Sequence, residues 1–299
     1  MAAVSAIIPT FNRASKVARA IASVLSQTIS DFEIIVVDDG STDRTPSALM
    51  SFGSRIRVIT HSHQLGVSAA RNSGVKSTTS PLIAFLDSDD HWLPEKLAVQ
   101  LSFFLEHPEA VACQTQEKWI RNGLPVNPKR KHLKPSGDIF SQSLKLCLVS
   151  PSAVMLKRSL LEDVGLFDET FPWCEDYDLW LRVTCRYPVY LIDQTLVIKE
   201  GGAPDQLSRN HPGMDAYRIK AILKMIEGGW LNDSQLAHAL QELSVKCSIY
   251  GKGCIKRGKR REGEHYLRLP EQVKGLKRGE KGLPIRLIDT ISVFSYTHF

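Results

Sequence analysis

Four short runs in the first ninety residues, at positions 4–9, 32–37, 56–59 and 82–86, are apolar almost throughout, and helical periodicity separates them. A strand that is apolar on both faces must be covered on both. Helices between such strands are how parallel strands are connected, so the pattern predicts βαβ units in a mostly parallel sheet flanked by helices. The first intervening helix is read from Val17, Ile21, Val24 and Leu25, and another spans 67–76. Three of the four strands end in polar clusters: Thr10-Phe11-Asn12-Arg13, Asp38-Asp39 and Asp87-Ser88-Asp89-Asp90. Open α/β sheets bind ligands beyond the carboxyl ends of their strands, so these clusters are expected to converge on one crevice.

Asp87, Asp89 and Asp90 follow directly on Phe85-Leu86. Carboxylates at that density repel one another unless a cation lies among them, and the simplest reading is a divalent metal at the end of a buried strand. His91-Trp92-Leu93-Pro94-Glu95 reads as the start of a helix, so one of these aspartates is expected to cap it and at least one to bind the metal.

Farther on, positions 122–137 carry three basic residues in a row, Lys129-Arg130-Lys131, among several prolines, which predicts a mobile, solvent-facing loop. A strand is expected over 153–156 and a short helix over 159–164; from about His211 onward the signals are helical. The net charge of +6 is unevenly placed: residues 246–286 hold 13 Lys/Arg against 4 Asp/Glu, a net +9 that leaves −3 for the remainder. Such a run is either a solvated helix face or a contact with an anionic surface such as lipid headgroups or a phosphate-bearing acceptor. Nucleic acid is excluded as the partner, because the run has no interleaved aromatics and no binding motif.

No stretch reaches the roughly 20 apolar residues needed to cross a bilayer, and Met1-Ala2-Ala3 lacks the charged start of a signal peptide; the expectation is a cytoplasmic protein. Six cysteines without CxxC spacing fit reduced thiols better than disulfides or zinc. Two motifs are decoys, and a third is missing. Gly253 to Arg260 nearly spells a P-loop but has Arg260 where Ser or Thr is required, Asn232-Asp233-Ser234 is a sequon with no signal peptide, and no GxGxxG follows the first strand.

Six segments together resemble the family 2 glycosyltransferases, whose nucleotide-sugar domain has the GT-A fold. They are Pro9-Thr10-Phe11-Asn12-Arg13, Val36-Val37-Asp38-Asp39-Gly40-Ser41-Thr42-Asp43, Gly66-Val67-Ser68-Ala69-Ala70-Arg71-Asn72-Ser73-Gly74, Phe85-Leu86-Asp87-Ser88-Asp89-Asp90, Val164-Gly165-Leu166-Phe167-Asp168-Glu169 and Glu175-Asp176-Tyr177-Asp178-Leu179-Trp180-Leu181-Arg182. The resemblance covers roughly residues 4–210. It implies a GT-A domain over 1–210 with a Rossmann-like nucleotide-binding half, followed by a basic helical C-terminal region over 211–299. The implied activity is inverting transfer of a sugar from a nucleotide-diphosphate sugar, most simply UDP-linked, to an acceptor hydroxyl.

The resemblance also assigns residues. Pro9, Thr10, Phe11 and Arg13 fall on the donor side, with Phe11 either stacking on the base or packing in the core. Asp39 accepts the base imide, Arg71 neutralises diphosphate charge or pairs with a nearby carboxylate, and Asp87 with Ser88 lies near the ribose and sugar. Asp89 or Asp90 binds Mn²⁺ or Mg²⁺, which stabilises the departing diphosphate. Asp176 is the general base on the acceptor hydroxyl, with Glu175 and Trp173 on the acceptor side. The histidine that completes the metal shell in many members has no counterpart in the loop 201–208, and His211 is the nearest candidate. Bacterial polysaccharide or glycoconjugate assembly is the implied setting, with a glycan or lipid-linked acceptor and peripheral contact with the inner face of an anionic membrane. Alternative readings are a nucleotide-sugar hydrolase or nucleotidyltransferase on the same fold, or a nucleotide-binding module without turnover. The Glu175-Asp176 pair argues against the first two.

Overall fold

The computed structural model describes residues 2–127, 129–202 and 213–274. Strands β1 (Val4–Thr10), β2 (Phe32–Asp38), β3 (Arg57–Thr60) and β4 (Leu82–Phe85) lie parallel in the order β3-β2-β1-β4. Helices α1 (Ala14–Leu25), α2 (Thr45–Met50) and α3 (Val67–Lys76) connect them. Every residue of β1 is buried, and its side chains alternate between two cores. Ala6 and Ile8 pack with Val17, Ile21 and Val24 of α1, whereas Ile7 packs with Ile35, Val37 and Ala70 of α3 on the other side. Fully burying an aliphatic side chain of this size stabilises the fold by about 1.5–3 kcal/mol, which is why the continuous apolar runs become central strands. Gly74 permits the close approach of α3 to β1, since a Cβ there would collide with the Ile7 side chain.

The sheet continues with β5 (His91–Trp92), β6 (Ala112–Arg121), β7 (Leu124–Val126), β8 (Val154–Lys157) and β9 (Tyr190–Gly201). Beyond β4 the order is β8-β6-β9-β5, with β7 hairpinned to β6. β6 and β9 pair in parallel; the β4–β8, β6–β8, β6–β7 and β5–β9 pairings are antiparallel. The remaining helices are α4 (Lys96–Glu106), α5 (Phe140–Lys145), α6 (Arg158–Val164), α7 (Glu175–Thr184), α8 (Met214–Glu227), α9 (Asp233–Lys256) and α10 (Arg260–Lys274). The last three share a core with α5 and α7, in which Tyr177 and Leu181 meet Ile222, Leu243 and Tyr266. The sequon lookalike is a helix cap: Asn232 Oδ1 accepts from the Gln235 amide (2.9 Å) and Gln235 Oε1 from the Asn232 amide (3.1 Å). None of the described helices is long and apolar enough to cross a membrane.

Two local expectations are corrected. None of Asp87, Asp89 and Asp90 caps a helix. The Asp90 amide donates to the Asp87 carbonyl (2.9 Å) in a tight turn, His91 and Trp92 pair with Ile198 and Val197 of β9, and α4 starts only at Lys96 without a side-chain cap. The aspartate side chains are engaged in contacts across the sheet instead. The second concerns 122–137, most of whose described residues are solvent-facing as expected but which pairs as a hairpin and a turn rather than running as a plain loop. Trp119 of β6 faces Val126 of β7, residues 130–132 form a turn of 3₁₀ helix, and Lys134 is largely buried, its ammonium 3.3 Å from Glu117 and 2.9 Å from the Thr115 carbonyl. One lysine of the basic stretch thus anchors the segment.

Candidate functional site

Beyond the carboxyl ends of β1 and β4, between the β6–β7 hairpin and the start of α7, lies a cleft of about 590 Å³. Small-molecule sites are commonly of this size. Arg13, Arg71, Asp87, Asp89, Glu175 and Asp176 line it, so residues far apart in sequence meet where the strand pattern placed them.

Arg71 organises the floor. One guanidinium nitrogen lies 2.8 Å from Asp87 and another 2.7 Å from Glu175, and the guanidinium lies 5.1 Å from the centre of the Phe167 ring. Although burial works in the other direction, Arg71 holds the Asp87 carboxyl below the ordinary carboxylate value. At Glu175, burial and then the adjacent Asp176 outweigh Arg71 and push the carboxyl up to about 7. Asn72 fastens the turn that carries Phe167: its side chain accepts from the Phe167 amide (3.1 Å) and donates to the Phe167 carbonyl (2.9 Å) and to Glu169 (2.8 Å). The Arg-Asn pair in the third motif is therefore a clamp between α3 and the segment leading into α7.

The aspartate triplet divides its work. Asp89 lies on the cleft wall, 3.0 Å from Arg13. Asp90 is turned inward: one oxygen accepts from Ser152 Oγ (2.7 Å) and the other from the Glu200 amide (3.2 Å). Ser152 Oγ also accepts from the Asp87 amide (3.1 Å), so this one buried hydroxyl ties both ends of the triplet. Burial, with Asp87 and Asp89 adding to it against Lys199, raises the Asp90 carboxyl to about 8. Lys199 of β9 lines the same cleft, its ammonium 3.1 Å from Ser150 Oγ and 3.9 Å from Asp90. Against the effect of burial, Glu117, Asp90, Asp87 and Asp176 raise its pKa well above the lysine value.

The donor set fits one kind of metal site. Among the described residues no group of three or more His, Cys, Asp or Glu is arranged as a protein cage. Mg²⁺ and Mn²⁺ at nucleotide sites need none, because they take one or two carboxylates and complete their shell with phosphate oxygens and water. Asp89 suits that role, since burial and the charge of Asp87 raise its pKa despite Arg13, a strain that a cation would relieve.

Asp176 is the second residue of α7. Cys174 before it adopts φ 61°, a left-handed conformation that costs a non-glycine residue roughly 1–3 kcal/mol. This turn starts the helix so that Glu175 and Asp176 both border the cleft. Asp176 Oδ1 accepts from the Tyr177 amide (2.7 Å) and Oδ2 from the Cys147 thiol (3.4 Å). Trp173 also lines the cleft, edge-on to Tyr217 at 5.3 Å. Asp178 is fully buried, paired with Arg182 and Lys224 (2.8 and 3.0 Å), and points away from the cleft.

Of the residues expected at a donor, the structure brings Pro9, Arg13, Arg71, Asp87 and Ser88 together on the cleft wall. Thr10 and Phe11 do not contribute to the cleft wall. Asp39 lies beyond it, where its carboxylate pairs with His61 (2.7 Å) and accepts the amides of Leu65 (2.9 Å) and Gly66 (2.8 Å). His211 lies outside the described residues. Ser152, Lys199 and Cys147 were not legible as site residues: Ser152 and Cys147 touch Asp90 and Asp176 only in the folded chain, and Lys199 enters the cleft from a strand of mixed polarity.

The family model described as Glycosyl transferase family 2 matches residues 5–165. An Escherichia coli protein named UDP-Glc:alpha-D-GlcNAc-diphosphoundecaprenol beta-1,3-glucosyltransferase WfgD is 35% identical over 181 residues, covering 60% of this chain and 69% of that protein. An uncharacterized glycosyltransferase of Rickettsia conorii is 34% identical over 244 residues, 78% of this chain but 38% of that protein. The chain thus spans well under half the length of that Rickettsia relative. Among solved structures, S. aureus TarS 1–349 in complex with UDP-GlcNAc superposes with a TM-score of 0.71 at 19% identity, over 91% of this chain and 80% of that one. That likeness shows the fold, an α/β sheet of the GT-A type followed by helices.

Proposed function

The chain belongs to glycosyl transferase family 2, and on that premise we propose that it transfers a sugar, with inversion, from a UDP-sugar to an acceptor hydroxyl in bacterial glycan assembly. The observation that carries this reading is Arg71, which joins Asp87 at the donor end to Glu175 beside Asp176 in one cleft. A donor anchored at the strand ends then has its sugar carbon directed toward α7.

Asp176 takes the proton from the acceptor hydroxyl as that oxygen attacks the sugar carbon, from the face opposite the leaving diphosphate. Glu175, held by Arg71, keeps that end of the helix in place. Arg13 and Lys199 contribute positive charge where the diphosphate develops negative charge. Asp39, beyond the wall, reads the base imide, and Asp87 with Ser88 lies against the ribose and sugar. A bound Mn²⁺ or Mg²⁺, held chiefly by Asp89, supplies further stabilisation of the departing phosphate. Asp90 supports this arrangement from behind through Ser152.

Thermal unfolding with added nucleoside diphosphates tests the donor assignment, because a ligand that binds only the folded state raises the melting temperature by mass action. UDP with Mn²⁺ is expected to give a concentration-dependent rise that GDP and CDP do not match. No rise with any nucleoside diphosphate would remove the reading.

A further inference from the structure

Asp176 takes its direction from two donors, one on each carboxylate oxygen. Oδ1 accepts from the Tyr177 amide (2.7 Å), a contact inside α7, whereas Oδ2 accepts from the Cys147 thiol (3.4 Å), which a different part of the chain supplies. The last torsion of an aspartate is broad, so a single local anchor leaves the carboxylate plane free to turn. The second donor fixes it.

Cys147 reaches this place on a firmly tied segment. It lies two residues past the end of α5, whose last turn is fastened from two sides: the Tyr177 phenol donates to the Leu144 carbonyl, and the Lys246 ammonium of α9 donates to the Lys145 carbonyl (3.2 Å) while pairing with Glu242 (3.1 Å). Tyr177 thus holds the base through its amide and the thiol-bearing segment through its phenol. Cys147 also packs against two cores, that between the sheet and α7 and that of the C-terminal helices.

The thiol acts as a donor and not as a second base. Burial, and then the charge of Asp176, push the Cys147 thiol well above its ordinary value, so the sulfur keeps its proton. Its single hydrogen has another acceptor in reach, the Val149 carbonyl at 3.5 Å. Because an ionised carboxylate is a stronger acceptor than a carbonyl, the hydrogen goes to Asp176 for as long as that residue is charged. Once Asp176 has taken the proton of the acceptor hydroxyl, the thiol can turn to Val149, and no proton leaves the sulfur. A thiol is also a weak donor, so it aims the carboxylate without tying up its charge.

We propose that Cys147 is a positioning residue for sugar transfer, its thiol setting the plane of the Asp176 carboxylate so that an oxygen faces the acceptor hydroxyl. This rests on the transferase reading above and adds to it a residue that acts only through the base. Cys147 is not among the residues that line the cleft, so its effect on turnover passes through Asp176. Misdirecting a reacting group by a fraction of an ångström slows a reaction without weakening the binding of a substrate held elsewhere.

The test gives the full chain Mn²⁺ with UDP-glucose or UDP-N-acetylglucosamine and follows release of the sugar to water, with UDP affinity measured calorimetrically in each variant. Cys147→Ala is expected to lower kcat about tenfold and to leave donor KM and UDP affinity within about twofold. Cys147→Ser, which restores a donor at the same place, is expected to recover most of that loss. A second measurement needs no turnover. Alkylation of Cys147 by iodoacetamide, read by mass spectrometry, is expected to be several-fold faster in Asp176→Asn than in the wild type, because the carboxylate charge no longer holds the proton on the sulfur. Undiminished kcat in Cys147→Ala, a serine variant no better than the alanine one, or a fall in UDP affinity that parallels kcat overturns the proposal while leaving the transferase reading in place. Equal alkylation rates overturn it too, since thiol and carboxylate would then not meet. A wild type that binds UDP but converts neither donor removes the transferase reading itself, and the proposal with it.

Discussion

Asp176→Asn is expected to lower kcat for sugar transfer by about 10²–10⁴-fold and to leave UDP affinity within about threefold. The substitution keeps the size of the side chain and an oxygen for the Tyr177 amide, so α7 retains its start. What it removes is the ability to accept a proton from the acceptor hydroxyl. Glu175 is not expected to substitute, because its carboxylate is already engaged by Arg71 at 2.7 Å. Steady-state kinetics with the donor varied, together with UDP titration of the variant, separates the two effects. Near-normal turnover would assign the base elsewhere; a parallel collapse of UDP affinity would make Asp176 a donor ligand.

Arg71→Met is the second large effect, and it is a loss of stability as much as of function. Arg71 is 3% exposed and serves two carboxylates, so its removal strands both Asp87 and Glu175. Breaking a buried ion pair by deleting one partner costs about 3–5 kcal/mol. The sign of the pH dependence follows from the cause. Without the guanidinium, burial raises the folded-state pKa of both carboxyls above their unfolded values, so the folded variant binds more protons than the unfolded chain between those values. Its stability is therefore greatest at low pH and is lost as pH rises through the raised pKa values. Chemical denaturation at pH 5 and pH 8 should show a deficit relative to wild type that is smaller at pH 5. A deficit that is equal at both values would mean that the two carboxyls do not depend on Arg71.

Much of this was legible in the chain itself, for physical reasons that also mark where legibility ended. β1, β2 and β4 are buried on both faces, so their sequences are continuous apolar runs and can be recognised without any partner. β6 and β9 carry Gln116, Glu117, Lys118 and Lys199, Glu200 because one end of each borders the cleft, and mixed polarity hides a strand from pattern reading. Arg71 supported two readings, phosphate ligand or carboxylate partner, and the structure shows the carboxylate pair. The three aspartates at 87–90 look equivalent in sequence; only Ser152 and the Glu200 amide, 62 and 110 residues away, distinguish Asp90 from Asp89. The anchoring of the solvent-facing segment 122–137 was not legible, because Lys134 and Glu117 are an ion pair that neither residue announces alone.

The central claim, inverting transfer with Asp176 as the base, is tested most directly without any acceptor. Water is itself a hydroxyl acceptor, small enough to occupy the place of the acceptor hydroxyl beside Asp176 and to be activated by the same carboxylate. Proton NMR on a UDP-α-sugar incubated with the protein and Mn²⁺ resolves the anomer of the sugar as it is released, before mutarotation mixes the two forms. The account predicts that the β-anomer appears first and that Asp176→Asn suppresses it. First appearance of the α-anomer would contradict inversion and, with it, the role assigned to Asp176.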